Sequence, residues 1–467
     1  MRHYAYDRLS VVDNSFLAIE GPNNHQHVAA AMVLDARPVS RPDGGLEIET
    51  IRTYIASRLH LIPRYRQKLT TIPLGNRLVW VDDEHFNVDY HVRHTSLPRP
   101  GDERQLKRLA ARIVSQQLDR AKPLWEIWVV EGLEGDRFAL VAKTHHCMVD
   151  GISGVDLLAV LLNPMPTAEF TSGPTWIPRP GPTPLQIFRD EMLRRLREPL
   201  ALLWENPCPF RSPLAIAGRF WEGLSAVGET LSAAAHPASP TPINQPIGPH
   251  RRYDWLAMDL GAVKTVKNRL GGTVNDIVLA TVAGALRHFL EGRRVNVDVL
   301  DIRASIPVSV RTDEQRGTLG NQIALWVTAL PVAERDPRRR LAQVRESTAR
   351  LKESRQTMGA QVLAAVSEWT STTLLSLAVR LSTRSRPFNL VVTNVPGPQI
   401  PLYLLGAELR QCYPMLALLE NQALGVALFS YAGHLGWGFI ADWDLVPDLH
   451  DFVLAIDTSF RELQNAV

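Results

Sequence analysis

The stretch THHCMVDG, residues 144–151, holds the densest group of chemically active side chains in the sequence. It ends a run with the pattern of a β-strand, and adjacent residues of a strand point to opposite faces. His145 and His146 therefore predict one imidazole that faces a cleft and one that supports it. A neutral imidazole is a natural general base near pH 7. Asp150 and Gly151 favour a tight turn between this strand and a following helix.

The same stretch leaves two other chemistries to weigh. Two histidines and Asp150 offer three metal ligands, but the imidazoles diverge on a strand, and no helical HExxH pair or cysteine cluster supplements them. Cys147 beside His146 is a poor nucleophile–base pair, because neighbours in sequence rarely reach attack geometry. The sequence therefore favours acid–base chemistry with no metal and no cofactor.

Strand and helix patterns alternate on both sides of this motif, which predicts a mixed α/β fold. In the first half the pattern predicts a helix at 105–118, a strand hairpin at 125–131 and 137–144, and a helix at 151–162. In the second half it predicts strands at 253–259, 299–310, 322–332, 388–394, 424–431 and 435–443, and helices at 274–291, 336–352, 361–381 and 448–463. Proline-rich stretches at 163–184 and 236–249 predict extended connectors. The predicted domains are 1–162 and 251–467, with a connector at 163–250.

Composition excludes several classes of protein. The chain has 467 residues, 45% hydrophobic and 21% charged, as in folded globular proteins. A net charge of +3 does not favour a nucleic-acid partner. Its three cysteines lie too far apart for a disulfide framework. The sequence shows neither a secretory signal nor about 18 consecutive apolar residues, so we expect a cytoplasmic protein, soluble or peripheral on a membrane or lipid inclusion.

The connector contains a basic amphipathic helix, predicted at residues 185–198. Its apolar stripe contains Leu185, Phe188, Met192 and Leu196, and its arginines are Arg189, Arg194, Arg195 and Arg197. Such a helix either packs on its own domain or lies on an anionic membrane.

Five further motifs occur in order along the chain. They are LSVVDNSFL (9–17), PLW (123–125), GTVND (272–276), PVSVR (307–311) with GN (320–321), and NVPGP (394–398). With HHxxxDG they resemble the bacterial wax ester synthase/diacylglycerol acyltransferase family, of the chloramphenicol acetyltransferase and condensation-domain superfamily, over nearly the whole chain. Val12 departs from the usual pattern. The resemblance implies two chloramphenicol-acetyltransferase-like domains, each a mixed β-sheet flanked by helices, with a tunnel between them.

The resemblance also implies an activity. Its substrates are long-chain acyl-CoA and either diacylglycerol or a fatty alcohol, and its products are triacylglycerol or wax ester, made at a membrane or lipid-droplet surface. The alternatives are another HHxxxDG acyltransferase, of condensation-domain or polyketide-associated type, and a catalytically silent lipid-binding protein.

Residue roles follow from the same resemblance. His146 is the general base, and His145 either assists it or is structural. Asn275 either donates a hydrogen bond to the oxyanion or the histidines, or caps a helix. Asp150, with Gly151, braces the strand through an arginine, which is Arg311 or, second, Arg303. Substrate contact is implied for Pro123, Leu124, Trp125, Asp276, Asn394, Pro396 and Gly397. For Trp125 core packing is the equal alternative, and residues 394–398 are either a rigid turn or a plain loop.

Overall fold

The computed structural model describes residues 6–71, 78–148, 160–183, 185–190, 192–193, 237–309, 323–353 and 386–467. Asp150, Gly151, Arg311 and the helix predicted at 361–381 lie outside these residues, as does nearly all of the helix predicted at 151–162. The described residues contain two six-stranded sheets with helices packed on them, and a small three-stranded sheet. The predicted mixed α/β fold is confirmed.

The first large sheet is built mainly by the N-terminal half. The elements of this half are Tyr6–Arg8 (β1), Val11–Ile19 (α1), His27–Asp35 (β2), Ile48–Arg58 (α2), Gln67–Thr71 (β3), Leu78–Asp82 (β4), Val88–His91 (α3), Val92–Ser96 (β5), Glu103–Ser115 (α4), Trp125–Leu133 (β6) and Arg137–His145 (β7). The predicted hairpin is β6–β7. Because β7 pairs with β6 on one side and β2 on the other, His145 ends a central strand.

The second large sheet belongs to the C-terminal half. Its half contains Arg251–Asp259 (β8), Leu260–Leu270 (α5), Val274–Gly292 (α6), Ile302–Ser309 (β9), Ile323–Leu330 (β10), Pro337–Glu353 (α7), Leu390–Pro396 (β11), Tyr403–Leu404 (β12), Ala407–Met415 (β13), Leu424–Tyr431 (β14), His434–Asp442 (β15) and Leu449–Asn465 (α8). The strand order is β10-β9-β11-β14-β15-β8. Helix α6 packs against α7 and α8 and is buried along nearly all of its length, which explains its apolar sequence.

Strands β12 and β13 cross from the C-terminal half into the first sheet. The order of that sheet is β12-β13-β2-β7-β6-β5. Strand β13 also packs on β15 of the second sheet. There, a Cβ atom on Gly436 would be 2.2 Å from Cys412 O, and a Cβ atom on Gly438 would be 1.8 Å from Pro414 O. Glycine at both positions therefore lets the two sheets meet at backbone contact. The predicted domain boundaries remain a prediction, and residues 403–415 complete the sheet of the opposite half.

The described parts of the connectors are extended and attached to the folded domains. Arg179 donates to both carboxylate oxygens of Asp82, at 2.9 and 3.1 Å. Asn244 and Asn389 hydrogen-bond to each other at 2.7 Å. Residues 185–190 are helical, and Ile187 is buried with apolar side chains of β1 and β4. The connector therefore packs on the small sheet formed by β1, β4 and β3.

Candidate active site

His145 is a buried side chain with interactions at both ring nitrogens. Its backbone N–H donates to Leu124 O at 2.9 Å, which fixes the end of β7. The backbone N–H of Cys147 donates to Nδ1 at 3.1 Å, and Cys147 Sγ lies 3.0 Å from the same nitrogen. Nε2 lies 3.6 Å from Glu20 Oε2. His145 is thus oriented by its own turn on one side and by a carboxylate on the other.

His146 begins a short 3-10 turn, His146–Met148, and has different surroundings. Its backbone N–H donates to Gln26 O at 2.8 Å. Its imidazole stacks on the Phe16 ring, with ring centroids 3.9 Å apart and planes 21° from parallel. Burial, and secondly the neighbouring His145, lower the pKa of His146 from 6.5 to about 4. The ring is therefore neutral near pH 7 and can accept a proton.

Glu20 is the centre of a buried polar cluster behind the histidine pair. Arg120 donates to Glu20 Oε2 from Nε at 3.1 Å, and His27 and His25 place ring nitrogens 3.8 and 4.0 Å from Oε1. Burial opposes ionisation of Glu20, but its interactions with His145 and Arg120 are stronger together and lower its pKa from 4.5 to about 2. Glu20 is therefore a permanent anion at this end of β7.

The other two chemistries weighed from the sequence gain no support here. Burial raises the pKa of the Cys147 thiol well above 9, so the thiol is protonated and a weak nucleophile. Within the described part of the chain, no three His, Cys, Asp or Glu side chains are arranged to hold a metal ion.

The PLW motif lies directly beside the histidines. Leu124 provides the carbonyl that holds His145, and Trp125 pairs with Thr144 across β6 and β7. The Trp125 indole is 1% exposed, stacks on His91 at 4.5 Å and donates to Tyr65 O at 2.8 Å. These are the contacts of core packing, the alternative that the sequence left open. Pro123 is buried two residues before β6 begins.

The TVND segment forms the start of α6. The N-cap is Thr273, whose side chain accepts from the backbone N–H of Asp276, and the Asp276 carboxylate accepts from the backbone N–H of Thr273 at 2.8 Å. The Asp276 carboxylate also accepts from Thr348 of α7 at 2.8 Å. The alternative in which Asn275 caps the helix is therefore wrong, because Asn275 lies inside the first turn. The bonds of Asp276 join two helices, and its substrate contact stays a prediction.

The NVPGP segment is partly strand. Asn394 and Pro396 belong to β11 and pair with Leu428 and Ser430 of β14, so neither a turn nor a plain loop over 394–398 is correct. A Cβ atom on Gly397 would lie 2.3 Å from the Phe429 ring, which explains glycine at this position. Substrate contact by these residues stays a prediction.

The bracing role of Asp150 lies outside the described residues, as do Gly151 and Arg311. Arg303, the second candidate for its partner, donates from Nε to Asp301 at 3.0 Å.

Comparison with known proteins decides the family. Residues 9–278 match the wax ester synthase/diacylglycerol acyltransferase catalytic domain, and residues 319–464 match the C-terminal domain of the same enzymes. The chain belongs to the wax ester synthase/diacylglycerol acyltransferase family. It is therefore an O-acyltransferase.

Relatives of this acyltransferase agree with the assignment. Two proteins of Mycobacterium tuberculosis that carry the name diacylglycerol O-acyltransferase are 32% and 33% identical to it, over 98% and 97% of this chain and 90% and 98% of theirs. A solved wax ester synthase/diacylglycerol acyltransferase from Marinobacter aquaeolei is 25% identical, with a TM-score of 0.69 over 98% of this chain and 99% of that one. The first condensation domain of the calcium-dependent antibiotic synthetase has a TM-score of 0.58 at 15% identity over 98% and 96% of the two chains, which shows a shared fold alone.

Sequence reasoning found the histidine pair of this acyltransferase but missed the cluster behind it. Glu20 lies three residues beyond the quoted LSVVDNSFL motif, and Arg120 lies in a loop. His25 and His27 are two residues apart, a spacing that places both on one face of an extended chain. That spacing was the available signal. It does not show that His27 pairs with His145 across β2 and β7, which is a tertiary contact.

Proposed function

We propose that His146 is the general base in transfer of a long-chain acyl group from acyl-CoA to the hydroxyl of diacylglycerol or a fatty alcohol. The contrast between the two histidines carries this assignment. The Nδ1 atom of His145 already accepts from the Cys147 backbone N–H, a bond that it would lose by taking a proton from a substrate, and its Nε2 atom faces Glu20. His146 is held by ring stacking, which leaves the nitrogen-bearing ring edges for chemistry, and it is neutral near pH 7.

The proposed reaction needs one base and one oxyanion donor. His146 takes the proton of the acceptor hydroxyl as its oxygen attacks the thioester carbonyl. The tetrahedral oxyanion then collapses, the carbon–sulfur bond breaks, and the CoA thiolate receives the proton from His146. Asn275, in the first turn of α6, is proposed to donate a hydrogen bond to the oxyanion. Proton and electron pairs balance without an enzyme-bound acyl intermediate.

The acceptor alcohol is proposed from the names of the relatives. The mycobacterial proteins are named for diacylglycerol, and the Marinobacter enzyme for both wax ester and diacylglycerol chemistry. Diacylglycerol and long-chain alcohols both present a primary or secondary hydroxyl to a base, so the His146 mechanism serves either. Condensation domains share only the fold with this chain, so the likeness gives no support to a condensation-domain activity.

Release of CoA tests this function. Purified protein is given palmitoyl-CoA with dioleoylglycerol or hexadecanol, and free thiol and ester product are followed together. We expect release with at least one acceptor, and a loss of about 10²–10⁴-fold in His146→Ala. His434→Ala, an exposed histidine of the second sheet, is the matched control. Failure of both acceptors, or wild-type turnover in His146→Ala, would contradict the proposal.

We also propose that the helix beginning at residue 185 contacts a membrane or lipid-droplet surface. Leu185 is 76% exposed and Met192 is 45% exposed, although both belong to the apolar stripe that the sequence predicts. Ile187 anchors the helix to the small sheet. Leu185 and Met192 stay exposed in this position and can contact lipid. Arg189 lies on the exposed part of the same turn and suits an anionic surface. No helix of the described residues has the length and apolarity to cross a bilayer.

Vesicle binding tests this surface. A Leu185→Ser/Met192→Ser double variant should co-sediment less with phosphatidylglycerol-containing liposomes, because these two apolar side chains no longer enter the lipid interface. Turnover on detergent-solubilised substrate should be unchanged. Leu454→Ser, which alters an exposed leucine of α8, is the control. Unchanged co-sedimentation of the double variant would place the docking surface elsewhere.

A further inference from the structure

Helix α1 carries the LSVVDNSFL motif and ends beside both histidines. Its start is fixed by Ser10, whose hydroxyl accepts from the backbone N–H of Asp13 at 3.0 Å and donates to the Asp13 carboxylate at 2.6 Å. Leu17 anchors the helix in the core. The side chain of Phe16, one turn from the Ser10–Asp13 pair, projects onto the 3-10 turn that contains His146.

We propose that Phe16 is a positioning residue that fixes the plane of the His146 imidazole for proton transfer. The backbone of His146 is already held by Gln26 O, so rotation of the side chain is its remaining freedom. Centroids 3.9 Å apart and planes 21° from parallel place the two rings face to face. Stacking restrains the tilt of the imidazole without covering its nitrogens, because these lie in the ring plane and Phe16 covers the ring face. No hydrogen-bond partner of the ring is needed for this restraint.

The same contact keeps water from one face of the base. The pKa of His146 is lowered chiefly by burial, and Phe16 provides part of that burial. Titratable and charged groups also surround the histidine pair from α1, the segment between α1 and β2, β2, the turn before β3, the loop before β6, β7 and the turn after it. They are Asp13, Glu20, His25, His27, Arg64, Arg120, Lys143, His145 and Cys147. Because these groups stay when Phe16 is changed, a shift of the His146 titration reports the loss of the ring itself.

Steady-state kinetics of Phe16→Leu and Phe16→Tyr test the proposal, which rests on the proposed role of His146. Phe16→Leu should lower kcat about threefold to tenfold, the range of one aromatic contact, with KM for both substrates nearly unchanged. It should also move the acid limb of the kcat/KM profile to higher pH, since a more hydrated base protonates more readily. Phe16→Tyr keeps the stacked ring and should restore both values. Phe170→Leu removes a ring that contacts Tyr54 instead, and should change neither.

A measurement without turnover separates this proposal from the proposed function. The His146 ring is titrated by NMR in ¹³C-histidine-labelled protein, with His146→Gln to assign the signal. Its pKa should rise toward 6.5 in Phe16→Leu and stay low in Phe16→Tyr. If Phe16→Leu does not fold, Phe16→Met takes its place. Equal titration and equal kcat in the wild type and the leucine variant would overturn the positioning role, and so would failure of Phe16→Tyr to restore them. A shifted titration in an enzyme that releases no CoA would support the contact while contradicting the reaction.

Discussion

The two six-stranded sheets share a layout but bury different chemistry in their central hairpins. In the first sheet, β7 buries Lys143, which donates to Ile113 O and Gln116 O at 3.0 Å, and ends at His145. In the second sheet, β15 buries Leu435, Trp437 and Phe439 with Gly436 and Gly438 between them. One hairpin thus supplies titratable groups, and the other supplies a flat surface on which β13 packs. Two similar sheets can therefore serve different purposes, one holding the catalytic groups and the other providing the contact that joins the two sheets.

The largest expected effect comes from adding a side chain to the face of β15 on which β13 packs. In Gly438→Ala the new Cβ atom would lie 1.8 Å from Pro414 O, a backbone atom that cannot rotate away. The sheets must separate, so we expect unfolding to become easier by about 3 kcal/mol or more, with low soluble yield. The urea midpoint and soluble yield measure this loss.

A second glycine provides the matched control for that change. A Cβ atom on Gly292, the last residue of α6, would meet nothing within 4 Å. Gly292→Ala should therefore leave the midpoint nearly unchanged. Equal midpoints for the two alanine variants would show that close contact with β13 does not limit stability.

How far the sequence predicts the fold is clearest at β13. Hairpins and helices with regular local periodicity, such as β14 and α6, are predicted to within about two residues. No strand is predicted between 394 and 424, although β13 occupies 407–415. A bulge between Leu409 and Gln411 breaks its alternation, and Pro414 argues against a strand. At Pro414, β13 pairs only with β2 among the described strands, so one edge tolerates the proline. The partner is some 380 residues away, which no local pattern reveals.

The next prediction concerns Glu20, in the polar cluster behind the histidines of the first sheet. Glu20→Gln keeps the shape of the side chain but removes the negative charge opposite His145 and Arg120. We expect kcat to fall about tenfold to a hundredfold, since a hydrogen bond to a charged group contributes about 1.5–3 kcal/mol and about 1.4 kcal/mol is tenfold in rate. Because the pKa of Glu20 is about 2, its loss should not remove an acid limb from the pH–rate profile.

An ion pair on the surface of the same sheet is the control for Glu20. Glu408 of β13 lies 3.0 Å from Arg410, with both side chains partly exposed. Glu408→Gln should leave kcat within about twofold, because exposed pairs contribute 1 kcal/mol or less. A Glu20→Gln enzyme as active as Glu408→Gln would make the cluster structural only.

The sequence predicts the candidate site only where its reactive residues are neighbours along the chain. His145 and His146 are adjacent, so their pattern is visible in the sequence. Glu20, His27 and Arg120 reach them through strand pairing and a loop, and those contacts appear only in three dimensions. Trp125 packs among Tyr65, Phe86 and His91, which favours the core-packing alternative, and its substrate contact stays a prediction.

The last expected effect is the pH dependence of stability, which also separates the halves. Burial lowers the pKa of His91 from 6.5 to about 4, and those of His146 and His27 are lowered as well. An unfolded histidine binds its proton near pH 6.5, so between pH 6.5 and 4 the unfolded chain holds more protons than the folded one. The free energy of unfolding must therefore fall as pH falls through this window, by up to about 1.4 kcal/mol per pH unit for each histidine.

Removing one such histidine should make this dependence shallower. His91→Gln should lower the slope of unfolding free energy against pH by about one proton, or about 1.4 kcal/mol per pH unit, between pH 6 and 4.5. Urea unfolding at several pH values measures the slope. His434→Gln, an exposed histidine at the start of β15, should keep the wild-type slope. The described histidines of the second half are all exposed or partly exposed, so we expect the histidine contribution to acid sensitivity to come from the half that carries His146. A slope unchanged in His91→Gln would mean that another group binds the protons, and the contrast between the sheets would then not extend to stability.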